Sequence, residues 1–380
     1  MSHKVALMTI FQVPNYGSVL QTFATQTILG KLGYDCDIIN YNYPNGWHFR
    51  NGFIKTPLWR RVLRRFFNAT GLHRQELSNS LNTFRRKLNL TRKFKDLDAL
   101  KNNDWSEYSV IIAGSDQLWN PTYLKGDSAF MLSFAPGIPK MSIASSFAVS
   151  ELPPEFIEKY RKHLSGFSAI SVRENSGVRI IRETLSLNVD PRVVLDPTLL
   201  LSADEWMDSL KITRAKSPER YILMYLLSYA LDPYPAALEA AKQLKERYGC
   251  TKIITFSKKN SPEVRELNAE SKHGCSVEDF LYYIANAEAI VTSSFHGTAF
   301  AVNFGIPLVS ITPSNNDGRQ MTLLRALDIE KCSIPAGEGN QVLSPDYNVA
   351  DVHRKLDNIR HNDIAWISDN LSRLQSADFA

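Results

Sequence analysis

Apolar positions along the chain fall into short continuous runs separated by stretches of helical spacing. Val5 to Phe11 reads as a first strand, and Asn15-Tyr16-Gly17-Ser18 as a polar turn with Ser18 as helix N-cap. Leu20, Phe23, Ala24, Ile28 and Leu32 then recur at helical spacing, and Gly33 ends the helix. Cys36 to Tyr41 resumes an apolar run. This βαβ opening predicts a parallel sheet and an α/β fold class. Further strands are predicted at Tyr108–Ala113, Met141–Phe147, Ala169–Val172, Tyr221–Leu227, Lys252–Phe256, Ala289–Val291 and Pro307–Ile311. Ala236 to Tyr248 is helical, and Ser276 to Asp279 opens another helix in the manner of a capping box. Ser202 to Glu219 is mostly polar and marks a domain boundary. The pattern thus divides into an N-terminal α/β domain over 1–205, a second over 215–345, and a helical tail over 346–380 expected to cross back to the first.

The stretch from Ala287 to Pro307 is the most informative. Its buried run ends in Thr292, Ser293 and Ser294; Phe295, His296 and Gly297 make the turn; Thr298 to Phe304 form a helix stopped by Gly305 and Pro307. His296 is thereby placed at a helix N-terminus, where free N–H groups and the helix dipole favour an anion. An imidazole there can hold a phosphate or carboxylate and move a proton. It can equally be a histidine that caps a helix. Two other polar turns lie at strand ends, where open α/β sheets bind ligands: Asn15-Tyr16-Gly17, and Gly114 to Asn120 with Ser115, Asp116 and Gln117. Neither has the glycine spacing of a dinucleotide site. Arg173 follows a strand directly, suited to a bidentate anion contact or to a surface pair with Glu174.

Composition narrows the class. At 380 residues, 44% hydrophobic and 22% charged, the chain is globular and long enough for two domains. The four cysteines have no paired spacing for zinc or for a disulfide framework, so a reducing compartment and no metal are expected. No segment is long and apolar enough to span a bilayer, and a cytoplasmic protein is expected. The net charge of +5 is modest but concentrated. The insert over 50–95 is strongly basic, and within it Leu58, Trp59, Val62, Leu63, Phe66 and Phe67 face away from Arg60, Arg61, Arg64 and Arg65 on a helix. Such a helix either lies on an anionic membrane surface, docks a partner, or packs on its own domain with a solvated basic face. No nucleic-acid motif accompanies the charge.

Taken in order, NYGSVLQ (15–21), AGSDQLWN (113–120), SVRE (171–174), LDPTLLL (195–201) and SSFHGTAFAVNFGIP (293–307) resemble the polysaccharide pyruvyl transferase family. The resemblance implies a GT-B-like fold, two Rossmann-like domains facing a central cleft. It implies transfer of pyruvate from phosphoenolpyruvate to two hydroxyls of a glycan or lipid-linked saccharide, forming a ketal, with no cofactor. His296 matches the motif histidine and Arg173 the arginine expected to hold the donor. Asn15, Tyr16, Gly17, Ser115, Asp116, Gln117, Ser294, Gly297 and Thr298 fall in the matching motifs as substrate contacts. Some members carry an arginine where this chain has Ser294; Arg319 or Lys258 is the expected replacement. The alternatives are a transferase with a nucleotide-linked donor and a non-catalytic binding protein on the same fold.

Overall fold

The computed structural model describes residues 3–43, 72–213, 219–228, 231–313, 318–337 and 343–376. The basic segment with Arg60, Arg61, Arg64 and Arg65 lies outside the described residues.

Thirteen strands were assigned among the described residues: β1 Lys4–Met8, β2 Asp35–Tyr41, β3 Leu90–Phe94, β4 Val110–Ala113, β5 Lys140–Ser142, β6 Ser171–Val172, β7 Arg192–Val193, β8 Tyr221–Tyr225, β9 Lys252–Thr255, β10 Glu270–Ser271, β11 Ala289–Thr292, β12 Leu308–Thr312 and β13 Ser333–Pro335. The first sheet runs β3-β2-β1-β4-β5 and the second β10-β9-β8-β11-β12-β13. All of their pairings are parallel. Counted from its own first strand, the first sheet has the order 3-2-1-4-5 and the second 3-2-1-4-5-6, the doubly wound order of the Rossmann fold. The strands β4, β8 and β11 are buried along their length, and β1 is buried after Lys4, as sheets covered on both faces require. In such a sheet ligands bind beyond the carboxyl ends of the strands where the order reverses. Here those points lie between β1 and β4 and between β8 and β11. The polar turns after β1, β4 and β11 are the three motifs singled out in the sequence.

Local differences from the sequence expectation have local causes. The first helix is Tyr16–Lys31, and its N-cap is Asn15, whose side chain accepts from Gly17 N–H; Ser18 lies inside the helix instead. The strand expected over Met141–Phe147 stops at Ser142. Ala144 has φ 52°, which breaks the ladder, and Ser142 and Ser171 satisfy each other's backbone through their hydroxyls. Single bridges from Met141 to Ala169 and Ser145 to Val172 then attach the β6–β7 ribbon. The polar stretch after Leu201 contains a helix, Ala203–Leu210, with a full capping box between Ser202 and Glu205 and a buried Trp206.

The two α/β units share one apolar cluster, which includes Leu20 and Ile112 from the first, Phe280, Phe300 and Leu308 from the second, and Ile367 and Leu371 from the C-terminal helix. That helix, Val349–Ser376, runs back to the first unit, where Arg373 donates to Ser168 O and Gln375 to Ser109 Oγ.

Candidate functional site

Both helices that begin at the switch points aim their N-termini into the same cleft. One starts at Asn15 after β1. The other is Phe295–Phe304, capped by Ser294, whose side chain accepts from Gly297 N–H, and closed by Gly305 with φ 69°. The cleft is lined by Asn15, Asp116 and Gln117 from the first unit and Ser294, His296 and Arg319 from the second. Gln320 joins them, donating to Ser310 Oγ at 2.9 Å.

His296 belongs to the second unit but meets residues of the first. Its ring rests on Gly17: a Cβ at that position would lie 2.0 Å from Nδ1. Its Nε2 lies 3.8 Å from Asp196 Oδ2 and has no hydrogen-bond partner among the described residues, although the residue is 5% exposed. Burial lowers the imidazole's pKa; Asp196 and Asp116 oppose this, Arg173 and Arg319 add to it, and the net shift is downward. The ring is therefore neutral at pH 7.

Asp196 links the parts. It is the N-cap of the short helix Pro197–Leu200: Oδ1 accepts from Thr198 N–H at 3.0 Å and from its hydroxyl at 2.7 Å. Oδ2 takes Arg173 Nη1 at 2.5 Å and lies 2.9 Å from Ser115 Oγ. Burial alone would raise its pKa, but Arg173, His296 and the Thr198 hydrogen bonds outweigh it and hold the carboxyl at about 2. Asp116 is a second buried carboxylate. It accepts from Ser18 Oγ at 2.5 Å and lies 3.8 Å from Arg173 Nη2, and its φ of 79° is strained backbone at the cleft wall. Burial raises its pKa, and Arg173, His296, Ser18 and Arg319 turn the net shift downward.

Arg173 is 3% exposed, and burial lowers its pKa while Asp196, Asp116 and Glu174 raise it, with a net rise that keeps it charged. Its ion-pair partner is Asp196 rather than a surface Glu174. Glu174 is itself buried and accepts from Ser146 Oγ and from the N–H groups of Phe147 and Ala148. Arg173 lies over the Phe295 ring at 4.6 Å, and Arg319 approaches the same ring at 5.8 Å. Behind Phe295 is a cavity of 60 Å³ lined by Arg173, Asp196 and Leu199, with Phe295 as its shared wall with the cleft. Arg173 Nε and Nη2 have no hydrogen-bond partner among the described residues. Unpaired buried donors cost about 1–3 kcal/mol each, more when charged, and suit a ligand that completes them.

Several predicted contacts are directed elsewhere. Tyr16 does not line the cleft. Its ring stacks on Phe280 at 4.3 Å, and its hydroxyl donates to Cys275 O at 2.8 Å, so it joins the two units. Ser115 is fully buried, and its hydroxyl supports Asp196 and Ala144 O. Gly297 is a close-packing position, since a Cβ would lie 2.2 Å from Thr292 Oγ1. Thr298 bonds Ser294 O and Ser310 Oγ inside the second unit. Lys258 is exposed and lines no part of the cleft, whereas Arg319 does. The residue that sequence reasoning passed over is Asp196. Its Asp-Pro-Thr cap signal stood in a quoted motif, but only folding shows that it meets His296.

A cleft between two Rossmann-like units, assembled from the switch points of both, defines a GT-B-like fold. The solved structures agree. A putative UDP-N-acetylglucosamine 2-epimerase from Listeria monocytogenes superposes with a TM-score of 0.52 at 11% identity, covering 96% of this chain and 90% of that one. The UDP-GlcNAc 2-epimerase from Methanocaldococcus jannaschii gives 0.52 at 14% identity, covering 94% and 92%. At such identity the likeness is one of fold. No curated protein matches the chain significantly. The family model for polysaccharide pyruvyl transferase matches residues 15–315, and the chain belongs to that family, a family of transferases.

Proposed function

We propose that the protein transfers pyruvate from phosphoenolpyruvate to two hydroxyls of a sugar in a bacterial polysaccharide or its precursor. The observation that carries this reading is the set of buried, unpartnered donors and ring nitrogen beside two helix N-termini: Arg173 Nε and Nη2, and His296 Nε2. A ligand with both phosphate and carboxylate suits such a place. In the reaction C3 of the enol gains a proton, both sugar O–H bonds break as their oxygens bond to C2, and the C2–O bond to phosphate breaks, with inorganic phosphate leaving with the electron pair; one hydroxyl proton balances the proton taken up by C3 and the other leaves on phosphate. His296, protonated once an anion lies beside it, gives the proton to C3 or holds the phosphate. Arg173 and Arg319 stabilise charge as it gathers on the departing phosphate. The amides of Asn15, Gln117 and Gln320 line the same cleft and suit acceptor hydroxyls.

A nucleotide-linked donor is the competing reading, since the fold's neighbours are named as UDP-sugar epimerases. Phosphoenolpyruvate at millimolar concentration should raise the melting temperature, and a nucleotide sugar should not. His296→Ala should keep the fold and lower turnover by roughly two to four orders of magnitude. The reverse ligand preference, or a variant with more than about a tenth of wild-type activity, would sink this assignment. For the acceptor, the Arg60–Arg65 segment suits attraction to anionic lipid, placing the enzyme beside a lipid-linked saccharide at the inner membrane face.

A further inference from the structure

We propose that Asp363, on the C-terminal helix, is a positioning residue of the site: it holds the turn that carries Asp196 between Arg173 and His296. Asp363 Oδ2 accepts from Leu195 N–H at 2.9 Å, across 168 residues of sequence. Its Oδ1 takes Arg192 Nη2 at 3.1 Å. Three residues earlier on the same helix face, Arg360 Nε donates to Leu199 O at 2.8 Å and Nη2 to Asn303 Oδ1 at 3.3 Å. The helix therefore grips the chain immediately before and shortly after Asp196, and touches the helix Phe295–Phe304 that carries His296. Ile359 and Asp363 also wall the small cavity behind Arg173, Asp196 and Phe295.

Packing alone does not explain a carboxylate here. Leu356, Ile367, Leu371 and Leu374 of this helix are buried and supply its apolar contact. Asp363 is 1% exposed, and burial raises its pKa against Leu195 N–H and Arg192, with a net rise. Ionised groups buried in this way are costly, and an apolar side chain would tie the helix down as well or better. What an apolar side chain cannot do is fix Leu195 N–H, and with it the backbone entering the Asp196 cap.

This role rests on the His296–Asp196 reading of the site, but its test does not require turnover. In the full chain, the imidazole of His296 is followed by NMR with ¹⁵N-labelled histidine, assigned through His296→Gln, in wild type, Asp363→Ala and Asp363→Asn. The charged groups facing that ring are Asp196, Arg173, Asp116 and Arg319. Losing the hold lets Asp196 move from the ring, so His296 in Asp363→Ala should titrate lower by about half a unit or more. Phosphoenolpyruvate affinity by calorimetry should fall about threefold or more. Asp363→Asn keeps an oxygen for Leu195 N–H and should stay close to wild type in both. A lower melting temperature with an unchanged His296 titration and unchanged affinity would make Asp363 merely structural and overturn the proposal. Should the alanine variant not fold, Asp363→Ser, too short to reach Leu195, gives the same two readings. If wild type binds no phosphoenolpyruvate, the functional assignment fails, while the titration still decides the role of Asp363.

Discussion

The imidazole of His296 lies directly on Gly17, a residue 279 positions earlier and in the other α/β unit; a methyl group at Gly17 would sit 2.0 Å from Nδ1 and 2.2 Å from Cγ. No real Cβ tolerates such a distance, and the ring has little room to retreat, being 5% exposed. Gly17→Ala should therefore displace His296 from Asp196 while leaving most of the fold intact. A misplacement of about 1 Å at a reacting group costs on the order of a hundredfold in rate. Steady-state kinetics with a melting curve checks this. A variant within threefold of wild-type kcat would mean that the ring can move without loss.

Donor binding should take up a proton. In the free protein burial lowers the pKa of His296, so the ring is neutral near pH 7. An anion beside it raises that pKa. The bound value then exceeds the free value, and affinity rises as pH falls from the one towards the other, levelling off below the free value. Calorimetry in two buffers of different ionisation enthalpy measures the uptake. His296→Ala serves as reference for protonation of the donor's own phosphate. Equal uptake in the two proteins would contradict the assignment.

The same linkage governs stability without ligand. Because the folded His296 binds a proton less readily than the unfolded one, its stability contribution is present above the ordinary histidine value, about 6.5, and declines as pH falls below it. Asp196, at about 2 when folded, contributes stability above the ordinary carboxylate range that is lost as pH falls towards 2. Asp196→Asn leaves the buried Arg173 guanidinium with only the longer Asp116 contact at 3.8 Å, a loss approaching the roughly 3–5 kcal/mol of a broken buried pair. Arg173→Lys keeps the charge but loses the planar fork and its contact with Phe295. Urea denaturation should show the first variant as the less stable. Phosphoenolpyruvate titration should show weaker binding in the second, and unchanged affinity there would leave Arg173 with a structural role alone.

Replacing Arg60, Arg61, Arg64 and Arg65 with glutamine should abolish sedimentation with anionic vesicles at low salt, since each cation contributes about 1 kcal/mol near such a surface. Neutral vesicles should sediment neither protein. Binding that survives the four replacements would point to a soluble acceptor instead.

Much of this was legible in the chain. Strand runs, helical spacing and turn residues depend on contacts a few positions apart, so the two βαβ units and the turns after β1, β4 and β11 could be read directly. The stop at Gly305 was local in the same sense, but the helix start was not: Phe295, His296 and Gly297, read as a turn, are its first residues, and Ser294 is its cap. What the sequence could not determine was which turns meet. Tyr16 looked like a cleft residue because it stood in a polar turn; its aromatic ring instead found the buried face of Phe280 in the other unit, where stacking and a hydrogen bond to Cys275 O satisfy both ends of the side chain. Asp196 stood in the sequence only as part of the LDPTLLL stretch; the structure makes it a helix cap and gives it Arg173, Ser115 and His296 as neighbours. Arg173 and Glu174, adjacent in sequence, diverge because the extended chain sends successive side chains to opposite sides, one to Asp196 and the other to the Ser146–Ala148 backbone. Local propensity fixed the elements; long-range burial of charge and aromatic surface, which no short window contains, decided the site.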